Sequence, residues 1–386
     1  MRTAKTFSYN GLKVRVGCVD QMQLAWIEEF LSPAFAPAED GTADCTVTLE
    51  IDDRRYASVL GWGARPDGLR LACCAFDSGL VHMPLWGPPD QSRVIFDEDS
   101  QVFYFVNEDA TQVRLLSASG HASRRIALMR VVREFAMSSS WTGRRFVLHA
   151  GACELAGSGI IIAGPKGAGK TTLLMYALGC RDARFVANDR VVVDVDGSQP
   201  VVRGMPTVVS IRYQTLRRFP EFERRWLRHR YNERMALHEA PGEGIPRRTE
   251  PLNLTPAQFS VLLGVPMRDA APARAVLFPR LNEAIEGVRV QEISAEAGSR
   301  RLAESIFAAN SPRKISEVFA LSSHGSQASP AIVEELSRVL TRAVRCFDCQ
   351  LGRPAPHTLG DIENCLAQLL PSPPTPTNAP LSGCRS

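Results

Sequence analysis

Residues 159–178 read GIIIAGPKGAGKTTLLMYAL, and positions 164–171 within them fit the pattern GxxxxGK[ST]. The three isoleucines before the glycines are typical of a buried strand, and the run TTLLMYAL after them favours a helix. A glycine-rich loop between a strand and a helix attracts phosphate, because its backbone N–H groups and the helix N-terminus both face the anion. The stretch therefore predicts an α/β fold built around a nucleotide-phosphate site.

The chemistry of this loop depends on three residue types. Its glycines let successive N–H groups point inward at a triphosphate, Lys170 can reach the β and γ oxygens, and the Thr171 hydroxyl can hold Mg²⁺. The residues predicted to bind the nucleotide are Gly164, Pro165, Lys166, Gly167, Ala168, Gly169, Lys170, Thr171 and Thr172. A glycine-rich turn without a ligand is the alternative, although the pattern arises by chance in only about one chain in a hundred of this length.

Composition and charge narrow the class of protein. The chain has 386 residues, enough for two or three domains, and its 45 Lys and Arg against 41 Asp and Glu give a net charge of +4. That balance argues against a nucleic-acid coat and against an acidic tail. Ten cysteines, under 3% of the chain, indicate free thiols in a reducing compartment. No stretch approaches the ~18 to 20 apolar residues of a membrane span, so we expect a cytoplasmic protein without a membrane partner.

Alternating and helical patterns divide the chain near residue 140. Before it, several stretches alternate apolar and polar residues as strands do, and two have helical spacing. The strand-like stretches lie on both sides of Asn10-Gly11, a pair that predicts a tight hairpin turn, and at 45–51, 69–76, 94–106 and 113–116. The helical stretches lie at 22–30 and 126–137. Residues 1–140 are therefore predicted to form an α+β domain that contains an antiparallel meander.

From residue 146 onward, buried strands and helices alternate, which is typical of an α/β domain. The predicted strands are 146–155, 159–163, 184–187 and 344–351, and the predicted helices follow Lys170 and cover 331–341. We assign residues 141–370 to this domain, which contains the phosphate loop. The tail 371–386, PSPPTPTNAPLSGCRS, is too rich in proline and polar residues to bury a core and is predicted to be disordered.

Two ionisable residues and one amide flank the loop in sequence. Asp189 follows the strand 184–187, where a carboxylate near the γ-phosphate can orient both Mg²⁺ and an incoming hydroxyl; a turn carboxylate that caps the strand is the alternative. His149 lies on the strand before the loop, where it can stabilise charge or relay a proton, or be a buried core residue. Asn188 cannot accept a proton and can only orient its neighbours through hydrogen bonds.

The runs LHAGACELAGSGIIIAGPKGAGKTTLL and ARFVANDRVVV resemble the catalytic core of the HPr kinase/phosphorylase superfamily. In that family a His-Gly strand, a phosphate loop and an Asp-Asp pair follow in this order. His149 matches the strand histidine and Asp189 the second aspartate, whereas Asn188 stands where the first is expected. Val201 stands where the family carries a glutamate before an Arg-Gly pair, here Arg203-Gly204. The resemblance covers about 50 residues, and residues before 140 do not share it.

The resemblance implies an ATP-dependent phosphotransferase that needs Mg²⁺ and moves the γ-phosphoryl group to a hydroxyl of a peptide, protein or small metabolite. Its catalytic residues would be Asp189, His149 and Asn188, and its metal ligands Thr171 and Asp189. The family also implies that the chain can form a homo-oligomer. Asn188 and Val201 leave a rival open, a nucleotide-binding regulatory or assembly protein without efficient phosphotransfer. A nucleic-acid motor is disfavoured, because no second strand shows the acidic cluster that activates water in such machines.

Three further features of the sequence can each be interpreted in two ways. Residues 212–234 contain eight Arg and three Glu, and such a basic helix could dock an acidic partner or form a solvated face. The CxxC of residues 346–349 has no partner pair at zinc-finger spacing and is read as part of a strand. Arg280 ends the buried run 276–279, where it could approach phosphate or lie on the surface.

Overall fold

The computed structural model describes residues 3–39, 41–65, 70–75, 79–88, 93–121, 123–141, 144–228, 251–307, 329–355 and 358–369. Within these ranges the protein is a mixed α/β structure with two large sheets and two small ones. Of the predicted segments, the end of the basic run at 229–234 and the tail at 371–386 lie outside the described residues.

The first large sheet is built from residues 3–117, and helices pack on both of its faces. Its region contains β1 (Thr3–Tyr9), β2 (Leu12–Cys18), α1 (Gln21–Leu31), β3 (Ala36–Ala38), β4 (Cys45–Ile51), α2 (Asp53–Leu60), β5 (Arg70–Ala75), β6 (Gly79–Pro84), β7 (Arg93–Asp97), β8 (Val102–Val106), β9 (Gln112–Ser117) and α3 (Arg124–Ser139). The hairpin turn predicted at Asn10-Gly11 is confirmed, with φ angles of 54° and 90°. Both helices predicted from apolar spacing are also confirmed, as α1 and α3.

The prediction of an antiparallel meander is right for only part of this sheet. The strand order is β3-β1-β2-β4-β9-β8-β7, and β7, β8 and β9 form an antiparallel meander. In contrast, β4 lies parallel to both of its neighbours, β2 and β9. The chain enters β4 after α1 and leaves it through α2, and such crossovers permit parallel pairing, whereas tight hairpins do not. The alternating pattern of β4 could not reveal this, because it reports which face is buried and not the strand direction.

The second large sheet is built from residues 145–353. Its region contains β10 (Arg145–Leu155), β11 (Ser158–Ala163), α4 (Lys170–Leu178), β12 (Arg184–Ala187), β13 (Arg190–Asp194), β14 (Val201–Met205), β15 (Val209–Ile211), α5 (Tyr213–Leu216), α6 (Pro220–Arg228), β16 (Leu252–Leu254), α7 (Pro256–Leu263), β17 (Ala270–Glu286), β18 (Val288–Ile293), α8 (Ala295–Ala303), α9 (Pro330–Ala343), β19 (Arg345–Arg353) and α10 (Thr358–Leu369). The strands predicted at 146–155, 159–163, 184–187 and 344–351 are all confirmed to within two residues.

The position of β11 in this sheet determines what surrounds the phosphate loop. β11 pairs with β10 in the antiparallel direction and with β17 in the parallel direction, and β17 is parallel to β19. The three parallel strands β11, β17 and β19 therefore run toward the same edge, and β17 continues past the end of β11. Side chains of β11 alternate between two cores, since Ile160 and Ile162 pack with α4, and Ile161 and Ala163 pack with α8 and α9.

The two large sheets are joined by a shared apolar core. Val147, Val192 and Met205 of the second region belong to the same buried cluster as the residues of α1 and α3. A hydrogen bond also crosses between the regions, from the hydroxyl of Tyr9 to the carbonyl of Gly204 at 3.2 Å. Within the described ranges, no helix combines the length and apolarity required to cross a membrane.

Gly204 lies where β14 crosses β12 and is predicted to tolerate no side chain. A Cβ atom there would lie 2.3 Å from the carbonyl oxygen of Val186, a backbone atom that cannot rotate away. We expect Gly204→Ala to lower the free energy of unfolding by about 3 kcal/mol, at the upper end of overpacking costs. The midpoint of urea denaturation measures this. Gly197→Ala is the control, since its Cβ would meet nothing nearer than 3.6 Å; equal midpoints for the two variants would contradict the prediction.

Candidate active site

The loop between β11 and α4 has the backbone geometry that phosphate binding requires. Gly164, Gly167 and Gly169 have φ angles of 151°, 84° and 103°, which L-residues rarely adopt. Glycines at positive φ let the backbone curve, so that consecutive N–H groups turn toward one point. Lys170 begins α4 directly after Gly169, so the positive end of the helix also faces the loop. The loop therefore fits the triphosphate that the sequence pattern predicts.

The side chains at the start of α4 have distinct roles within the fold. The Nζ atom of Lys170 donates to the carbonyl oxygens of Gly164 and Pro165, at 2.7 and 3.2 Å, so the ammonium group lies over the loop. The Thr172 side chain is buried and its Oγ1 lies 3.1 Å from Oγ1 of Thr215, which ties α4 to α5. The ammonium group of Lys170 thus lies over the loop that is predicted to hold phosphate, whereas the Thr172 side chain connects α4 to α5.

Strand register brings His149 beside the loop. Ala150 of β10 pairs with Ala163 of β11, so His149 comes opposite Gly164, the first residue of the loop. Beyond the end of β11, the segment after α8 takes its place beside β10, and the N–H of His149 donates to the carbonyl of Ser305 at 2.7 Å. The histidine is therefore fixed on a central strand at the mouth of the loop, and about a third of its side chain is exposed.

Asp189 lies between β12 and β13 and contacts His149. Oδ1 of Asp189 is 3.1 Å from Nε2 of His149, and Oδ2 is 3.7 Å from Nε of Arg190. Burial alone raises the pKa of this carboxyl, and the hydrogen bond and charge of His149 lower it. The charges of Arg190 and Lys170 lower the pKa further, to about 2. The carboxylate is therefore ionised at neutral pH and lies within electrostatic reach of the loop lysine.

Arg190, Glu134 and Phe307 form a buried layer behind this pair that the sequence did not predict. Nη1 of Arg190 lies 3.7 Å from the carboxylate of Glu134 in α3, and the guanidinium stacks on Phe307 at 4.7 Å. The Phe307 ring also stacks on His149, with centroids 6.0 Å apart. Helix α3 and the segment after α8 thus both contact the residues that hold Asp189. The only sequence signal was the adjacency of Arg190 to Asp189, because Glu134 and Phe307 are distant in the chain.

Both polar atoms of the Asn188 side-chain amide make hydrogen bonds within the fold. Its Nδ2 donates to the carbonyl of Val208 at 3.1 Å, and its Oδ1 accepts from the Thr207 hydroxyl at 3.0 Å. The side chain is 9% exposed. These contacts connect the turn before Asp189 to the segment after β14, so Asn188 has a structural task beside the orienting role predicted for it.

Asn188→Asp is expected to destabilise the protein when no metal is present. A carboxylate would replace the Nδ2 donor and place an anionic oxygen against the carbonyl of Val208, a buried mismatch that costs about 1–3 kcal/mol. Urea denaturation in EDTA measures the change in unfolding free energy. Asn253→Asp, at an exposed position of β16, is the control for the charge alone. A variant as stable as the parent would contradict this account of Asn188.

The other residues singled out in the sequence lie apart from Asp189. Val201 pairs with Asp194, at the end of β13 opposite to Arg190. Arg203 pairs with Asp269 at 3.1 Å. The cysteines of the CxxC lie buried in β19, so the strand interpretation is confirmed.

Two arginines of the basic run at 212–234 donate hydrogen bonds to carbonyls near the ends of β19 and α7. Nη1 of Arg218 donates to the carbonyl of Gly352 at 2.6 Å, and Nη1 of Arg225 donates to the carbonyl of Leu262 at the end of α7. Arg212 and Arg217 are exposed.

Across the described ranges, no group of three or more His, Cys, Asp or Glu could hold a metal ion. A Mg²⁺ ion bound with a nucleotide needs fewer protein ligands, because phosphates and water complete its shell.

Comparison with known proteins adds little to this geometry. No protein-family model matches the chain, and no curated protein matches it. Among solved structures, it is similar to the Hpr(Ser) kinase/phosphatase from Coxiella burnetii at a TM-score of 0.24 and 11% sequence identity. The match covers 57% of this chain and 94% of that one. A TM-score of this size carries no argument, so the function is inferred from the site itself.

Proposed function

We propose that this chain is a P-loop kinase that transfers the γ-phosphoryl group of ATP to a hydroxyl group, with Mg²⁺ as cofactor. The observation that carries the proposal is the position of Asp189, an ionised carboxylate held by His149 within electrostatic reach of Lys170. A carboxylate beside a phosphate loop can orient a hydroxyl toward the γ-phosphate. The acceptor would be a peptide, a protein or a small metabolite.

The residues fit ATP and Mg²⁺ in the following way. Residues 164–171 would hold the phosphates through backbone N–H groups and Lys170, and Thr171 with Asp189 would hold Mg²⁺. The metal, when bound, neutralises charge on the phosphates. Asp189 would accept the hydrogen bond of the acceptor hydroxyl and take its proton, and His149 would keep that carboxylate in place. The stack of Phe307 and Arg190 behind His149 limits the movement of both residues.

The rival function is a nucleotide-binding regulatory or assembly protein with little phosphotransfer. Asn188 favours it, since the amide stands where the resemblance leads one to expect a carboxylate and is bonded to Val208 and Thr207. Both functions require the loop to bind ATP. They differ in whether the γ-phosphoryl group leaves the nucleotide.

Transfer of label from γ-labelled ATP separates the two functions. The parent protein is incubated with Mg²⁺ and with the proteins and metabolites made by neighbouring genes, and a duplicate contains EDTA. The proposal predicts Mg²⁺-dependent appearance of label in a phosphate ester. ATP binding without label transfer to any acceptor would favour the regulatory protein instead.

A further inference from the structure

Helix α3 of the first region packs on the sheet face that carries the reacting residues. Val147 of β10 and Val192 of β13 belong to the same buried cluster as the residues of α3. His149 and Arg190 each lie two residues away along these strands, and side chains two residues apart point to the same face of a sheet. The two residues also pair directly between the strands. His149, Arg190 and α3 therefore share one face of the second sheet.

Arg190 lies between two carboxylates on this face. Its Nη1 atom is 3.7 Å from Oε1 of Glu134 in α3, and its Nε atom is 3.7 Å from Oδ2 of Asp189. Both distances exceed the roughly 2.7 to 3.2 Å of an N–H···O hydrogen bond, so each pair is an ionic contact. Nη1 also donates to the Sδ atom of Met137, which is a second contact with α3. The guanidinium is thus held between the helix and Asp189.

Glu134 balances the charge of two buried arginines. Its Oε1 atom also accepts a hydrogen bond from Nη2 of Arg133 at 3.1 Å, and both side chains of this pair are buried. The two arginines and the carboxylates of Glu134 and Asp189 together carry no net charge. Removing one partner of a buried ion pair leaves the other charge uncompensated, which is strongly unfavourable. Without the carboxylate of Glu134, Arg190 would be attracted more strongly to Asp189.

A closer pair between Arg190 and Asp189 would interfere with the proposed reaction. Oδ1 of Asp189 contacts His149, and Oδ2 is the oxygen nearest to Arg190. A direct bond from the guanidinium would compete with Mg²⁺ and with the acceptor hydroxyl for Oδ2, because charge-assisted bonds of this kind are strong. Glu134 attracts the guanidinium from the opposite side and so opposes that bond.

We propose that Glu134 is a positioning residue of the kinase site, which holds Arg190 away from Asp189 and keeps that carboxylate available to Mg²⁺ and the acceptor hydroxyl. The inference rests on the proposed kinase function and deepens it, because it gives the first region a role in a site built from the second. Residues before 140 do not share the sequence resemblance, yet α3 contributes to the same reaction.

Asp97 provides a matched control, because it is another buried acid that pairs with an arginine of α3. Its Oδ2 atom accepts from Nη1 of Arg130 at 2.7 Å and from the hydroxyl of Tyr104 at 2.9 Å. It lies at the end of β7, the edge strand of the first sheet. Asp97→Asn therefore removes a buried negative charge and an ion pair of α3 but leaves the partners of Arg190 in place.

The test measures how much Mg²⁺ tightens nucleotide binding. The full chain is titrated by calorimetry with the β,γ-imido analogue of ATP, once with Mg²⁺ and once in EDTA, and the ratio of the two affinities reports how well the protein holds the metal. We expect Glu134→Gln to lower this ratio about tenfold, a usual effect of removing a group that supports a metal ligand. Glu134→Asp keeps the charge and should retain most of the ratio, and Asp97→Asn should retain all of it.

Variants of Arg190 test whether Glu134 acts through it. Arg190→Met removes the competing guanidinium, so this variant should keep at least the parent ratio, and adding Glu134→Gln to it should change nothing further. A fall in the ratio with Arg190→Met alone would show that Arg190 supports Asp189, which overturns the proposal even if Glu134→Gln does not fold. An equal effect of Glu134→Gln in both backgrounds would also overturn it. Thermal melting checks the fold of each variant.

The outcomes distinguish this proposal from the function on which it rests. A parent ratio in folded Glu134→Gln, or an equal fall in Asp97→Asn, overturns the positioning role alone and leaves the kinase function in place. A parent protein that does not bind the nucleotide, or whose affinity Mg²⁺ does not raise, overturns the proposed function and the positioning role with it.

Discussion

Asp189→Ala is expected to lower the rate of γ-phosphoryl transfer by ~10² to 10⁴-fold, the usual effect of removing a general base. The alanine variant loses the carboxylate that His149 holds 3.1 Å away and that Arg190 and Lys170 keep ionised. ATP affinity should change much less than the rate, because the loop amides and Lys170 remain. Single-turnover rates at saturating ATP, together with calorimetric ATP titration, separate the two effects.

Asp194→Ala is the matched control for this experiment. Asp194 ends β13, the strand that begins directly after Asp189, and its side chain is 39% exposed, but it pairs with Arg145 and not with His149. We expect Asp194→Ala to transfer phosphate at the parent rate. If Asp189→Ala were as fast as the parent, Asp189 would have no place in the reaction.

Lys170→Ala should weaken ATP binding roughly 10- to 100-fold, which corresponds to the loss of a charged hydrogen-bond donor worth about 1.5–3 kcal/mol. The lysine ammonium already lies over the loop, bonded to the carbonyls of Gly164 and Pro165, and a phosphate would meet it there. The fold should survive, because these contacts are local. Calorimetric titration with ATP and Mg²⁺ measures the affinity.

Lys13→Ala controls for the loss of one positive charge, since Lys13 is exposed on β2 in the other sheet. Its ATP affinity should equal that of the parent. Unchanged affinity in a folded Lys170→Ala protein would show that the loop does not bind the triphosphate in the way proposed.

Local sequence was sufficient to predict the loop and its flanking elements. The isoleucines of β11, the glycines at positive φ and the helix that begins at Lys170 are consecutive in the chain, and each follows from the preferences of its own residues. The strand position of the CxxC was predictable for the same reason. His149 and Asp189 were also identified from the sequence, by their places at predicted strands and by the resemblance.

Contacts between distant segments could not be predicted in this way. The parallel pairing of β4 depends on where its connecting helices pass, which the alternation of its side chains does not encode. Phe307 meets His149 only because the segment after α8 pairs with β10. The amide of Asn188 was read as an orienting group for catalysis, but its bonds to Val208 and Thr207 depend on the path of the chain after β14. Such contacts are properties of the folded chain.

The most direct test of the central claim is the time course of γ-label transfer by the parent and by Asp189→Ala, measured side by side with Mg²⁺ and a panel of hydroxyl-bearing peptides, proteins and metabolites. The account predicts label in an acceptor ester with the parent, loss of that signal in EDTA, and at least a hundredfold slower transfer with Asp189→Ala. Equal rates for the two proteins, or ATP binding by the parent with no transfer to any acceptor, would contradict it.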